Sequence, residues 1–137
     1  MANVTKRKVL LGIAVVAGLS MLSKVGSAGG YDVQRLSAEE ALSSGALVVD
    51  IRTPEEWAET GVIDGAKLVT FRDADSFLAM VGDDLKDGRD LVLVCHSGRR
   101  TAAAAGALAG VIPNKIISLD GGMGRLLQEG LQTVPPK

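Results

Sequence analysis

Two runs, Ala46-Leu47-Val48-Val49 and Leu91-Val92-Leu93-Val94, are apolar at every position, and polar residues follow each within one step. A short run with no polar face is the pattern of a strand covered on both sides, as in a parallel sheet. Polar positions elsewhere mark helix starts. Ser37 with Glu40 three residues on makes a capping-box pattern and predicts a helix that ends at Gly45. Thr53 as cap, Pro54 in the first helical position and two acids behind it predict a second helix, ended by Gly61. Residues 66–69 read as a strand, and Asp73 or Asp75 opens a helix running to about Val81. Residues 83–90 are polar and turn-rich. Beyond the second apolar run lie an alanine-rich helix to about Ala109, a strand over 115–119, a turn at Asp120-Gly121-Gly122, a last helix over 123–128 and a frayed tail over 134–137. Trp57, at helical spacing, is expected in the core, and the alanine run at the close contact of a helix with the sheet.

Strands and helices alternate along the whole body, which places the chain in the α/β class, a mostly parallel sheet with helices on both faces. In such sheets ligands bind beyond the carboxyl ends of the strands. Asp50 and Cys95 both stand at strand ends and are therefore expected to share one site.

The first residues follow a different pattern. Lys6-Arg7-Lys8 precede 15 uncharged residues, Val9 to Ser23, and then Lys24 and the small residues Gly26 and Ala28. A basic start, a short apolar stretch and a small-residue end describe a secretory signal cleaved after Ala28. A comfortable membrane span needs about 20 residues, so an uncleaved anchor is the second reading. The expected division is a signal peptide or membrane anchor over 1–28 and one domain over 29–137. The protein is then exported: periplasmic or secreted if cleaved, otherwise membrane-anchored with the domain outside the cytoplasm.

Composition narrows the chemistry. The length of 137 residues suits one domain. With 3% aromatic residues, the core rests on aliphatic side chains. Of the 15 basic residues, four lie in the first 28 positions, which hold no acid; the body keeps 11 against 16 acidic residues, a net charge of −5. An acidic body does not seek nucleic acid. A single cysteine excludes an internal disulfide and a multi-thiolate zinc site, and one histidine leaves little for any metal. Neither a metal nor a cofactor is expected.

The cysteine is followed by His96, Ser97, Gly98, Arg99 and Arg100, poor material for a core. A thiol between a strand and a helix start meets unpaired N–H groups and the positive end of the helix dipole, and both favour the thiolate. Gly98 lets the loop curl into an anion-binding nest, Ser97 adds a hydroxyl donor, and His96, Arg99 and Arg100 add charge. Such a cup suits a second, anionic sulfur on top of the first. The plain alternative is that Cys95 is a small buried hydrophobe.

The loop Cys95-His96-Ser97-Gly98-Arg99-Arg100 resembles the rhodanese active-site loop, C-R-S-G-x-R. Three further segments resemble the same family in its order: Val48-Val49-Asp50-Ile51-Arg52-Thr53-Pro54-Glu55-Glu56-Trp57, Gly61-Val62-Ile63-Asp64-Gly65-Ala66, and Leu119-Asp120-Gly121-Gly122-Met123. The resemblance spans about residues 32–131. It implies a doubly wound sheet of about five strands and a persulfide on Cys95 held by the loop amides. It also implies that Asp50 and Arg52 border the loop and support it. Arg99 and Arg100 are expected to draw the donor anion in, with Arg100 instead bracing the loop backbone as the alternative. The sequence departs from the pattern in Val62 for His, Asp64 for Pro, His96 for Arg, and in lacking a tryptophan after the double glycine. The implied activity is that of a thiosulfate sulfurtransferase, passing sulfane sulfur from thiosulfate or a persulfide donor to cyanide, a thiol or an acceptor protein. Two other readings stand beside it. One is a non-catalytic binding, regulatory or sulfur-carrier module. The other is a phosphatase or arsenate reductase, disfavoured because four residues, not five, separate Cys95 from Arg100.

Overall fold

The computed structural model describes residues 25–28, as backbone, and residues 30–137. The signal or anchor expected over 1–28 lies, but for its last four residues, outside the described residues. No helix among the described residues is long and apolar enough to cross a membrane.

In chain order the elements are β1 (Val25–Ala28), β2 (Tyr31–Gln34), α1 (Ala38–Ser43), β3 (Leu47–Asp50), α2 (Pro54–Thr60), β4 (Lys67–Leu68), α3 (Ala74–Val81), β5 (Leu91–Val94), α4 (Arg99–Leu108), β6 (Ile116–Leu119) and α5 (Gly122–Gln128), with a short 3-10 turn at Gly82–Leu85 after α3. The capping box at Ser37/Glu40 and the Thr53 cap form as the sequence predicts, Glu56 makes the latter a second capping box, and Asp73 caps α3. The strands make one sheet in the order β1-β2-β6-β5-β3-β4. Five of them, β2 to β6, run parallel, and β1 adds an antiparallel edge against β2.

Two apolar layers flank the sheet. On one side Val49, Leu91 and Leu93 pack under α3 and α4, with Phe77, Val81 and Leu108 buried. On the other, Val48, Val92 and Val94 pack under α1 and α5, with Ala41, Met123 and Leu126 buried. Alternate residues of β3 and β5 thus feed opposite layers, which explains why both strands are apolar throughout. Fully burying one such side chain contributes about 1.5–3 kcal/mol.

Two expectations are corrected, and one strand is added. β2 was not predicted: Tyr31-Asp32-Val33-Gln34 is half-buried along its length and carries polar residues, so it lacks the apolar signature of its neighbours. The tail is not frayed at Val134, which exchanges two backbone hydrogen bonds with Val62 at 2.9 and 3.0 Å. Trp57 joins neither core layer; it is half-buried, and its ring N–H is buried without a partner among the described residues.

Candidate active site

β5 ends at Val94 and α4 begins at Arg99, so Cys95 to Gly98 form the whole bend. Gly98 makes the turn with φ of +94°, a left-handed conformation that favours glycine. It is the N-cap of α4, and no side chain caps this helix. Cys95 is fully buried, and its sulfur accepts the Gly98 N–H at 3.0 Å. The Thr101 hydroxyl lies 3.6 Å from the sulfur on its inner side.

The far side of the bend is held by the double glycine. The Met123 N–H donates to the Cys95 carbonyl at 2.7 Å, and the Gly124 N–H to the His96 carbonyl at 2.9 Å. Gly122 sits against the same carbonyls. A Cβ there would fall 2.4 Å from the Cys95 oxygen, and its φ is +55°. In a trans peptide the carbonyl and the next N–H point in opposite directions. With both carbonyls aimed at α5, the His96 and Ser97 N–H groups turn away from α5. That is the side of the sheet on which the Cys95 side chain packs with α4.

The predicted charges do not behave alike. Arg100 is held by Glu56 of α2 in a bidentate pair, at 2.6 and 2.8 Å. That hydrogen bond lowers the Glu56 pKa to about 2 and raises that of Arg100. Arg100 is thus braced by α2, where the family resemblance placed it against the loop backbone. Arg99 is exposed and has no carboxylate partner among the described residues. His96 and Ser97 lie exposed at the rim.

Asp50 and Arg52 form a fully buried ion pair. The Arg52 guanidinium donates to both Asp50 oxygens, to the Thr60 hydroxyl at 2.8 Å and to the Gly61 carbonyl at 2.9 Å. Neither side chain hydrogen-bonds the cysteine loop. They fix the end of α2, and α2 carries Glu56 to Arg100. Asp50 and Arg52 are both fully buried, so theirs is no surface ion pair.

Between the ends of β3 and β4 and the first turns of α4 lies a cavity of about 350 Å³, walled by Ile51, Phe71, Ala103 and Ala104 with Arg100 at its border. Among the described residues no cluster of three or more His, Cys, Asp or Glu side chains is placed to hold a metal ion.

The rhodanese-like domain model matches residues 34–129, a span that includes the Asp50–Arg52 pair, the cysteine loop and the double glycine. The chain belongs to the rhodanese-like domain family. It is 35% identical over 85 residues to the thiosulfate sulfurtransferase GlpE of Ectopseudomonas mendocina, covering 62% of this chain and 73% of that protein. It is 37% identical over 94 residues to GlpE of Pseudomonas entomophila, covering 66% and 82%. A solved structure from Rhodopseudomonas palustris, a protein of unknown function described as a possible tyrosine phosphatase, shares the fold with a TM-score of 0.59 at 21% identity, over 74% of this chain and 85% of that one.

Within this rhodanese-like domain Cys95 to Gly98 form the bend, and Arg99 and Arg100 stand in the first turn of α4. The sequence did not show Glu56 as the partner of Arg100, because the same carboxylate also completes the α2 capping box and reads as nothing more. Thr101 and Ser118 were also missed. Ser118 carried a signal, a lone hydroxyl in the otherwise apolar β6.

Proposed function

We propose that this rhodanese-like domain is a sulfurtransferase of the thiosulfate type, with Cys95 as its sulfur carrier. The observation that carries the reading is the Gly98 N–H aimed at the Cys95 sulfur beneath a helix start that no side chain closes. The cycle has two displacements. The Cys95 thiolate attacks the outer sulfur of thiosulfate; the S–S bond of the donor breaks, and sulfite leaves with its electron pair. The resulting persulfide is anionic at its outer sulfur, where loop N–H groups and the dipole of α4 stabilise it as they would an oxyanion. A thiophile then attacks that outer sulfur, and the thiolate of Cys95 is regenerated. In the assay the thiophile is cyanide, which leaves as thiocyanate; in the cell it is a thiol or an acceptor protein. Arg99, exposed and without a carboxylate partner among the described residues, is the cation that draws the donor in. No step calls for a metal or cofactor.

A phosphatase reading fits less well. The loop is short for a tetrahedral oxyanion, and the Arg100 fork that would bind one is occupied by Glu56. A non-catalytic module is separated from an enzyme by assay: incubation with thiosulfate and cyanide should yield thiocyanate, and Cys95→Ser should abolish it while leaving the melting temperature near that of the parent. A folded parent that makes no thiocyanate refutes the catalytic reading. Residues 1–28, with their basic start and 15-residue uncharged run, support export, and the mass of the recovered protein reports whether they are removed.

A further inference from the structure

Behind the sulfur lies a pair of hydroxyls that the cycle above leaves idle. Thr101 and Ser118 are both buried, on α4 and β6. Ser118 is paired in register with Leu93 of β5, two residues before Cys95, and its side chain faces α4. The two oxygens are 2.7 Å apart. Thr101 Oγ1 is also 3.0 Å from the Gly98 carbonyl and 3.6 Å from the Cys95 sulfur. Burying a hydroxyl costs free energy unless it is hydrogen-bonded, so a serine inside an apolar strand calls for a reason.

Counting protons supplies one. Thr101 has one hydrogen and two lone pairs on its oxygen. While Cys95 is a neutral thiol, the Thr101 hydrogen goes to the Gly98 carbonyl, and the S–H and the Ser118 hydroxyl both donate to Oγ1. Once the sulfur is a thiolate it has no hydrogen to give. The Thr101 hydrogen can then rotate from the carbonyl to the sulfur, while Ser118 continues to donate from behind. That donation holds the Thr101 oxygen in place and polarises its O–H, which strengthens the bond to the anion.

We propose that Ser118 is a positioning residue: acting through Thr101, it stabilises the Cys95 thiolate that opens each turnover. This rests on Cys95 being the nucleophile. The charged and titratable side chains on the elements that meet at the bend are His96 in the loop, Arg99 and Arg100 on α4, Asp50 at the end of β3, Arg125 on α5, and Glu56 of α2, which is held to Arg100; the substitutions below leave all of them in place.

The test is the pH profile of Cys95 alkylation by iodoacetamide in the full chain, with thermal melting and thiocyanate formation measured in parallel. Ser118→Ala should move the profile to more alkaline pH and slow alkylation about tenfold on the acid side of its midpoint, the effect of about one pH unit, with the alkaline plateau unchanged. Ser118→Val, which fills the site with apolar atoms, should do the same and serves if the alanine variant melts too low. Thr101→Val should shift the profile at least as far, and Ser118→Thr, which keeps a hydroxyl, should restore the parent profile. A profile that stays put in a folded Ser118→Ala or Ser118→Val overturns the proposal. Alkylation needs no sulfur donor, so absence of thiocyanate from the parent refutes the enzyme reading separately from this result.

Discussion

Two junctions of the molecule have the same topology and opposite chemistry. After β3 the chain passes through Ile51 to Thr53 into α2; after β5 it passes through Cys95 to Gly98 into α4. At the first junction every strong group is answered from within. Asp50 is taken by Arg52, Thr53 caps the Glu56 N–H, and the Glu56 carboxylate returns to the Thr53 N–H. At the second, the cap is a glycine with no side chain, the loop carbonyls are drawn off by α5, and an N–H points at a sulfur. One helix start is closed by side chains and the other carries no capping side chain. The comparison teaches that reactivity in this fold depends less on where a strand ends than on which groups are left unsatisfied there.

The comparison can be broken hardest at the closed junction. Asp50→Asn leaves the Arg52 charge buried and unmatched, and breaking a buried pair in this way costs about 3–5 kcal/mol. Denaturant unfolding should register that loss, with the molecules still folded retaining sulfur transfer. At the open junction, Gly122→Ala would drive a Cβ toward the Cys95 carbonyl. The loop has to shift, and a displacement of about 1 Å at a reacting centre costs on the order of a hundredfold in turnover. Steady-state thiocyanate formation against a circular dichroism melt separates that loss from unfolding. Thr53→Ala opens the closed helix start and should cost about 1 kcal/mol, with little change in turnover, because no reactive group stands there.

The smallest expected effect concerns the bridge between the junctions. Glu56 has a folded pKa of about 2 against an ordinary value of 4.5, so its contribution is complete above about pH 4.5 and is lost as pH falls through about 2. The pair is partly exposed, and Glu56→Gln should cost no more than about 1 kcal/mol at neutral pH. Unfolding curves of parent and variant should converge as the pH is lowered toward 2. A difference that persists there would place the stabilising contact elsewhere.

How much of this was legible depended on whether the relevant partner was near in sequence. β3 and β5 declared themselves because both their faces are buried, and the helix starts because a cap and its amide lie three residues apart. β2 and the Val62–Val134 bridge were not legible, since both take strand geometry only from partners distant in sequence, Ile117 for Asp32 and Val134 for Val62. The same holds in the site. Cys95 and its loop stood out because five polar or small residues interrupt an apolar strand–helix passage. The Glu56–Arg100 pair spans 44 positions, and the Thr101–Ser118 contact joins a helix to a strand; sequence spacing bears on neither.

The central claim is that the open helix start lets Cys95 hold a terminal sulfur. The most direct measurement is the intact mass of the protein after incubation with thiosulfate and removal of excess donor. The account predicts a gain of one sulfur, about 32 Da, on Cys95, lost on adding cyanide and absent in Cys95→Ser. A folded protein that gains no mass, or gains it equally without Cys95, would contradict it.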